Sequence, residues 1–108
     1  MTPDVSDEPT SLEYGALRID PKAHHLSVNN QAIPLTAKEF ELLWFMAQHP
    51  QQVFSRAQLL SKIWGYEFYG DESTVTVHIC RLREKIESDP NHPKHIQTVW
   101  GVGYKFES

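Results

Sequence analysis

The sequence predicts an α+β fold in which a small N-terminal antiparallel sheet precedes three helices and a C-terminal β-hairpin. Three features support this prediction: apolar residues alternate before position 36, two helix-capping sequences occupy the middle of the chain, and glycines separate the last two apolar runs. The 108 residues suffice for one domain, because a chain of this length buries roughly two-thirds of the surface that it exposes when unfolded.

Charge divides the chain into two parts. Residues 1–13 contain two prolines, four acids and no Lys or Arg, whereas the remaining residues carry ten acids and ten bases. We therefore expect residues 1–13 to be an interdomain linker or a disordered end, and residues 14–108 to be the folded domain. The net charge of −4 comes from the first part, so it does not argue against a nucleic-acid partner for the second.

Composition also indicates where the protein acts. Cys80 is the only cysteine, so no disulfide forms within the chain and a reducing compartment is expected. No apolar run approaches the length of about 20 residues that spans a bilayer, and no basic, apolar leader opens the chain. We expect a cytoplasmic protein with no membrane partner.

Local signals predict where turns and helices begin. Asn29-Asn30 predicts a tight turn between two strands, since asparagine tolerates a positive φ. Thr36-x-x-Glu39 and Ser55-x-x-Gln58 are capping boxes, in which two side chains satisfy backbone N–H groups at a helix start. These motifs predict the beginnings of the first two helices.

The third helix is expected to begin at Asp71 or Ser73 and to run to about Ser88, and on a helical wheel it carries two neighbouring stripes. The first stripe is apolar and predicts packing on the core: Val75, Ile79, Leu82 and Ile86. The second is polar and predicts an exposed face: Thr74, His78, Arg81 and Lys85, with Val77 at its border and Arg83 on the opposite flank.

The polar stripe suits the major groove of B-DNA, which is about 12 Å wide and accepts one helix. Arg81 is expected to donate two hydrogen bonds to a guanine, and Val77 to meet a thymine methyl group. The other residues are expected to position the helix on phosphates: Thr74, His78, Arg83 and Lys85. The alternative is an amphipathic surface helix whose charges are merely solvated, and the wheel by itself does not exclude it.

The order of the elements favours DNA binding. Two helices with short connections, an exposed basic helix and a glycine-tipped hairpin describe a winged helix-turn-helix, whose hairpin reaches the adjacent minor groove or backbone. The candidate wing residues are Thr98, Trp100, Tyr104 and Lys105. The alternative for Trp100 and Tyr104 is that they pack the hairpin on the third helix.

Four segments resemble the OmpR/PhoB family of response regulators, in the same order and spacing, over Tyr14 to Phe106. The first two are Leu35-Thr36-x-x-Glu39-Phe40-x-Leu42-Leu43, and Ser55-Arg56-x-x-Leu59-Leu60 with Trp64-Gly65. The others are Thr74-Val75-x-Val77-His78-Ile79-x-Arg81-Leu82-Arg83-x-Lys85 and Thr98-Val99-x-Gly101-Val102-Gly103-Tyr104. Each segment is weak evidence alone, whereas the four together are highly specific.

The resemblance implies a transcription regulator of a two-component system that binds promoter DNA and has no catalytic, cofactor or metal site. It also implies a receiver domain upstream, whose phosphorylated aspartate drives dimerisation, and homodimers that bind direct repeats head to tail. The loop between the second and third helices, about residues 65–72, is implied to contact RNA polymerase, although packing of the loop is an equal alternative. The candidate residues of this loop are Tyr66, Glu67, Phe68, Tyr69 and Asp71.

The chain departs from the family pattern at three positions. Many members carry Arg where this sequence has Ser73, Cys80 and Trp100. Ser73 remains a candidate DNA contact at the start of the third helix, and Trp100 replaces an arginine that often enters the minor groove. The operator sequence therefore cannot be borrowed from other members, and a modest affinity is expected for the isolated domain.

Other classes of protein fit the sequence less well. A zinc site finds no suitable ligand set, because His78 and Cys80 lie about 200° apart around a helix and cannot share an ion. His92 and His95 form a loop pair, but the sequence offers no second pair of plausible spacing. A hydrolase would need a Gly-x-Ser-x-Gly, His-Glu-x-x-His or phosphate-binding glycine motif, and the sequence has none. The main alternative is a winged helix that binds protein instead of DNA, and salt-sensitive binding to random duplex DNA distinguishes the two.

Overall fold

A computed structural model describes residues 11–65 and 70–108. Four short strands come first: β1 (Leu12–Tyr14), β2 (Leu17–Asp20), β3 (His25–Val28) and β4 (Gln31–Ile33). The middle of the chain forms α1 (Ala37–Ala47), β5 (Val53–Ser55) and α2 (Arg56–Leu59), which continues as a π-helical stretch over Leu60–Trp64. The chain then forms α3 (Ser73–Ile86), β6 (Ile96–Val99) and β7 (Gly103–Phe106).

The first four strands form an antiparallel sheet in the order β1-β2-β3-β4. Its inner face buries Leu17, Ile19 and Leu26, and Ile19 lies opposite Leu26 in the β2–β3 pair. The predicted Asn29-Asn30 turn is confirmed, since both residues have positive φ angles of 53° and 65°. β1 begins at Leu12, within the residues that the charge pattern assigns to a linker, because Leu12 pairs with Ile19.

Both predicted capping boxes are present. At the start of α1 the Glu39 N–H donates to Thr36 Oγ1 at 3.2 Å, and the Thr36 N–H donates to Glu39 Oε1 at 3.0 Å. At the start of α2 the same exchange joins Ser55 and Gln58, at 3.0 and 2.8 Å. These bonds satisfy backbone donors that the first helical turn leaves unpaired, which explains why the two helices start where the sequence predicts.

A second sheet, in the order β5-β7-β6, contains the C-terminal hairpin. The sequence predicts the hairpin but not β5, since three residues are too few to show a clear alternation. β5 joins the hairpin through the Phe54–Tyr104 pair, and a Cβ on Gly103 would lie 1.9 Å from the carbonyl oxygen of Phe54. Gly103 is therefore required by the close approach of two strands, whereas Gly101 at the hairpin tip has a φ of +79°.

The α3 helix packs its predicted apolar stripe on the core, and all four residues of that stripe are buried: Val75, Ile79, Leu82 and Ile86. The helix ends at Ile86, two residues before the expected end. Glu87 leaves the helix with an extended backbone because its carboxylate accepts hydrogen bonds from the N–H groups of Lys94, His95 and Ile96. None of the helices described in residues 11–65 and 70–108 is long and apolar enough to cross a membrane.

Candidate nucleic-acid interface

The centre of the α3 surface is formed by Val77 and Arg81, which lie one helical turn apart. Val77 is 43% exposed, which is unusual for a large apolar side chain in this domain, and Arg81 is exposed beside it. Arg81 makes no hydrogen bond or ion pair with any other residue in the described ranges. Its guanidinium is therefore available for an external acceptor, as the helical wheel predicts.

The start of α3 presents Thr74, which is half-buried, and Ser73, which is exposed. The Ser73 N–H donates to Asp71 Oδ1 at 3.0 Å, and the Ser73 hydroxyl also contacts this oxygen. Hydrogen bonds from the Ser73 side chain and backbone hold the pKa of Asp71 below its usual value. Asp71 thus fastens the start of α3, and the other four candidates for a polymerase contact lie outside the described residues: Tyr66, Glu67, Phe68 and Tyr69.

His78 lies on the side of this surface that faces the end of α2. Its Nδ1 is 2.8 Å from the carbonyl oxygen of Thr74, one turn earlier in α3. Its ring meets the ring of Trp64 edge-on, with 4.8 Å between the centroids and 77° between the planes. These two contacts fix the orientation of the imidazole within the free domain.

Arg83 does not project to solvent as the helical wheel suggests. Its Nη2 donates to Thr98 Oγ1 at 2.7 Å and to the Ile96 carbonyl at 3.0 Å, and its Nε donates to the same carbonyl at 3.2 Å. The guanidinium carbon also lies 5.6 Å from the centroid of the Tyr104 ring. In the free domain this side chain thus ties α3 to the hairpin, and its predicted phosphate contact stays a prediction.

Lys85 also has a partner inside the fold. Its Nζ lies 2.7 Å from Oε1 of Glu39, the capping-box residue of α1, whose side chain is 2% exposed. Burial works to raise the pKa of Glu39, but the hydrogen bonds from Lys85 and from the Thr36 N–H outweigh it, so this pKa lies below its usual value. In the free domain Lys85 is thus paired with this carboxylate, with which a phosphate would compete, and its predicted phosphate contact stays a prediction.

The hairpin separates the predicted wing residues into two groups. Thr98 and Tyr104 face Arg83, and Tyr104 is 8% exposed, so Tyr104 packs against α3 in the free domain and its DNA contact stays a prediction. Trp100 is 89% exposed at the hairpin tip, and Val102 beside it is 57% exposed. The tip of the wing is therefore open to solvent, whereas Tyr104 belongs to its base.

The sequence interpretation missed Arg56 as a site residue, although the residue lies within one of the family-like segments. Arg56 borders a cleft of about 470 Å³ between the wing and the first residues of α2 and α3. Its Nη1 donates to Thr76 Oγ1 at 3.3 Å, and its Nε lies 3.7 Å from Oε1 of Glu72. Only the three-dimensional placement of the wing could identify this exposed cation as part of the same surface.

Over residues 11–65 and 70–108, no three His, Cys, Asp or Glu side chains are grouped as metal ligands. Cys80 is exposed on α3 and carries a free thiol. The assembled surface thus consists of one helix face, a cleft and a wing tip, which together define a winged helix-turn-helix domain.

Comparison with known families identifies the class of this domain. The family described as "Transcriptional regulatory protein, C terminal" matches residues 30–106, and the chain belongs to it. This family consists of transcription regulators and not of enzymes, in agreement with the sequence prediction.

Individual relatives agree with this assignment. The transcriptional regulatory protein SrrA of Staphylococcus aureus (strain NCTC 8325) is 53% identical over 97 residues, which are 89% of this chain and 40% of SrrA. DrrB, an OmpR/PhoB homologue from Thermotoga maritima, superposes with a TM-score of 0.88 at 36% identity, over 94% of this chain and 46% of DrrB. The RstA DNA-binding domain of Klebsiella pneumoniae, solved in complex with the RstA box, gives a TM-score of 0.81 at 32% identity, over 90% of this chain and 96% of that domain.

These comparisons confirm the predicted resemblance to the OmpR/PhoB response regulators and the winged-helix fold. The chain spans less than half the length of SrrA and of DrrB, and nearly all of the RstA DNA-binding domain. It thus corresponds to the C-terminal part of the longer regulators.

Proposed function

We propose that this domain binds double-stranded DNA in a sequence-specific manner as the output domain of a two-component response regulator. The α3 helix enters the major groove, and the wing reaches the adjacent minor groove or backbone. The observation that carries this proposal is the exposed Val77–Arg81 surface, whose guanidinium has no partner within the described ranges. The RstA DNA-binding domain, which has a similar fold, was solved in complex with the RstA box.

Base recognition is assigned to the two most prominent side chains of α3. Arg81 has the planar pair of donors that matches O6 and N7 of a guanine, and Val77 offers an apolar contact for a thymine methyl group. Ser73 and Thr74 add hydroxyl groups at the start of the helix, where they contact the backbone or a base edge. The exposed indole of Trp100 supplies the wing contact.

The first prediction concerns Arg81. Replacing Arg81 with Ala is expected to weaken binding to the cognate site by about 1–3 kcal/mol and to relax discrimination at one base position. The matched control is Arg18→Ala, because Arg18 is also exposed but lies on the N-terminal sheet beside Glu13. Affinity can be measured by fluorescence anisotropy after the site is selected from random duplexes. Unchanged affinity in Arg81→Ala would show that a different side of α3 enters the groove.

Arg56 is assigned to the DNA backbone. A strand that passes from the major groove at α3 to the minor groove at the wing crosses the cleft between them, and Arg56 borders this cleft. In the free domain Oε1 of Glu72 lies 3.7 Å from Nε of Arg56, so a phosphate competes with the Glu72 carboxylate for this guanidinium. Arg56 therefore contributes affinity without sequence information.

The second prediction separates this role from base recognition. Arg56→Ala is expected to weaken binding to all duplexes alike and to lower the slope of log K against log salt by about one, because one phosphate fewer is neutralised. Glu72→Gln is expected to strengthen binding about two- to fivefold at low salt, since it removes the competing charge. A loss confined to the cognate site in Arg56→Ala, or weaker binding in Glu72→Gln, contradicts the assignment.

The wider assembly is proposed from the family alone. We expect a receiver domain in the complete regulator, phosphorylation-dependent homodimers on direct repeats, action in the cytoplasm, and contact between RNA polymerase and the loop around residues 65–72. Asp71 is the member of that loop whose position supports the proposal, since it is exposed at the start of α3.

A further inference from the structure

The hydrogen bond of His78 fixes which nitrogen of its ring carries a proton. The carbonyl oxygen of Thr74 can only accept, so Nδ1, 2.8 Å away, must be the donor. A neutral imidazole has one N–H, and the other nitrogen is then an acceptor. When its imidazole is neutral, His78 therefore presents a lone pair, and no proton, at Nε2.

Nε2 is open to an external partner. In the part of the chain that the structure describes, the only buried side-chain nitrogen or oxygen without a hydrogen bond is Nδ1 of His95. Nε2 of His78 has no hydrogen bond to a described residue and is not among these buried atoms, so it keeps some exposed surface. Its ring meets the ring of Trp64 edge-on beside α2, and His78 is less exposed than Val77 and Arg81.

This position places His78 against the DNA backbone rather than a base edge. In a helix-turn-helix the helix before the recognition helix crosses the backbone, and His78 packs on the end of that preceding helix. A phosphate oxygen accepts hydrogen bonds and carries negative charge. A neutral His78 would meet it with a lone pair, whereas the imidazolium donates from Nε2 while Nδ1 keeps its bond to Thr74.

We propose that the domain takes up one proton at His78 when it binds DNA, so that His78 is a proton-linked phosphate contact. This inference rests on the proposed DNA binding and specifies the chemistry of one contact in it. Acidification then strengthens DNA binding without any change in the bases that are read.

A DNA phosphate can be the counter-ion of the His78 imidazolium, because the carboxylate of Glu39 on α1 already has a partner. On α1, Glu39 lies near enough that a charged His78 helps to lower its pKa, but Lys85 already pairs with this carboxylate. From α2 the contact is the uncharged ring of Trp64, and on α3 the neighbouring cation is Arg81. A DNA phosphate supplies the negative charge that the free domain does not concentrate at His78.

The test measures the affinity for a duplex of random sequence as a function of pH at constant ionic strength. We expect affinity to rise as the pH falls from about 8 to about 6, by up to about tenfold per pH unit for one linked proton. His78→Gln, whose amide donates at every pH, is expected to abolish this dependence and to bind at least as well as the wild type at the higher pH. His92→Gln is the matched control and should keep it, because His92 is exposed and paired with Asp89.

Each outcome decides the inference. The inference is overturned if the affinity of the wild type does not depend on pH, or if the dependence persists in His78→Gln. Binding that weakens on acidification also overturns it, because the neutral ring would then accept a hydrogen bond from a base amine. Nitrogen NMR of the wild-type His78 imidazole gives a test without any variant. We expect a proton on Nδ1 alone in the free domain at the higher pH, and protons on both ring nitrogens in the complex. Failure to bind any duplex at low salt and low pH would instead refute DNA binding itself.

Discussion

Replacing Gly103 with Ala is expected to destabilise the domain by about 3 kcal/mol or more, at or above the upper end of what overpacking usually costs. The new Cβ would lie 1.9 Å from the carbonyl oxygen of Phe54 and 2.8 Å from its carbonyl carbon. Because both are backbone atoms, no side-chain rotation relieves the overlap, and β5 must move away from β7. The free energy of unfolding in urea measures this loss.

Gly101→Ala provides the matched control for the same substitution in the same hairpin. A Cβ at Gly101 meets no atom within 4 Å, so only the positive φ of 79° opposes it. This strain is expected to cost about 1–2 kcal/mol. An equal loss of stability in the two variants would mean that the approach of β5 to β7 is not the constraint at Gly103.

The second large effect is expected at Lys85. Lys85→Met removes the cation from Glu39, whose side chain is 2% exposed, and leaves a buried carboxylate with the Thr36 N–H as its remaining partner. An uncompensated buried charge of this kind costs about 3 kcal/mol at neutral pH. Urea unfolding of the variant measures the loss, and Lys94→Met on an exposed loop residue controls for removal of a positive charge.

The pH dependence of this loss has a definite sign. In the wild type the pKa of Glu39 is lowered by folding, so its contribution is complete above the unfolded value of about 4.3 and is lost as the pH falls through the folded value. In Lys85→Met burial dominates and raises this pKa, so protonation of Glu39 relieves the penalty. The difference in stability between the two proteins should therefore shrink on acidification and be small in Lys85→Met/Glu39→Gln. A difference that is constant with pH contradicts the assigned ion pair.

Features encoded by neighbouring residues could be predicted from the sequence. The capping boxes at Thr36 and Ser55 each depend on a side chain three positions later, and the structure contains both. The apolar stripe of α3 is similarly local, since one helical period fixes which residues share a face. For this reason the helices, the asparagine turn and the hairpin agree with expectation.

Features that depend on distant parts of the chain could not be predicted. Lys85 and Glu39 are 46 positions apart, and the partners of Arg83 lie on a strand that the wheel of α3 does not contain. A wheel gives the direction of a side chain but not what the fold places in that direction. The pairing of Leu12 with β2 and the short strand β5 escaped prediction for the same reason.

In the free domain some of the predicted contact residues have partners within the fold, and one cation that was not predicted borders the same surface. Arg83 and Tyr104 hold α3 to the wing, and Lys85 holds α3 to α1, whereas Arg56 borders the cleft beside the wing. Val77 and Arg81 keep the positions that the helical wheel gives them. The functional proposal therefore depends most on Arg81.

Methylation interference at guanine N7 tests this dependence most directly, because N7 lies in the major groove and is the atom that an arginine fork contacts. On a selected site, we predict at least one guanine whose N7 methylation blocks binding of the wild-type domain but leaves binding of Arg81→Ala unchanged. An interference pattern that is identical for the two proteins would contradict the placement of this face of α3 in the major groove.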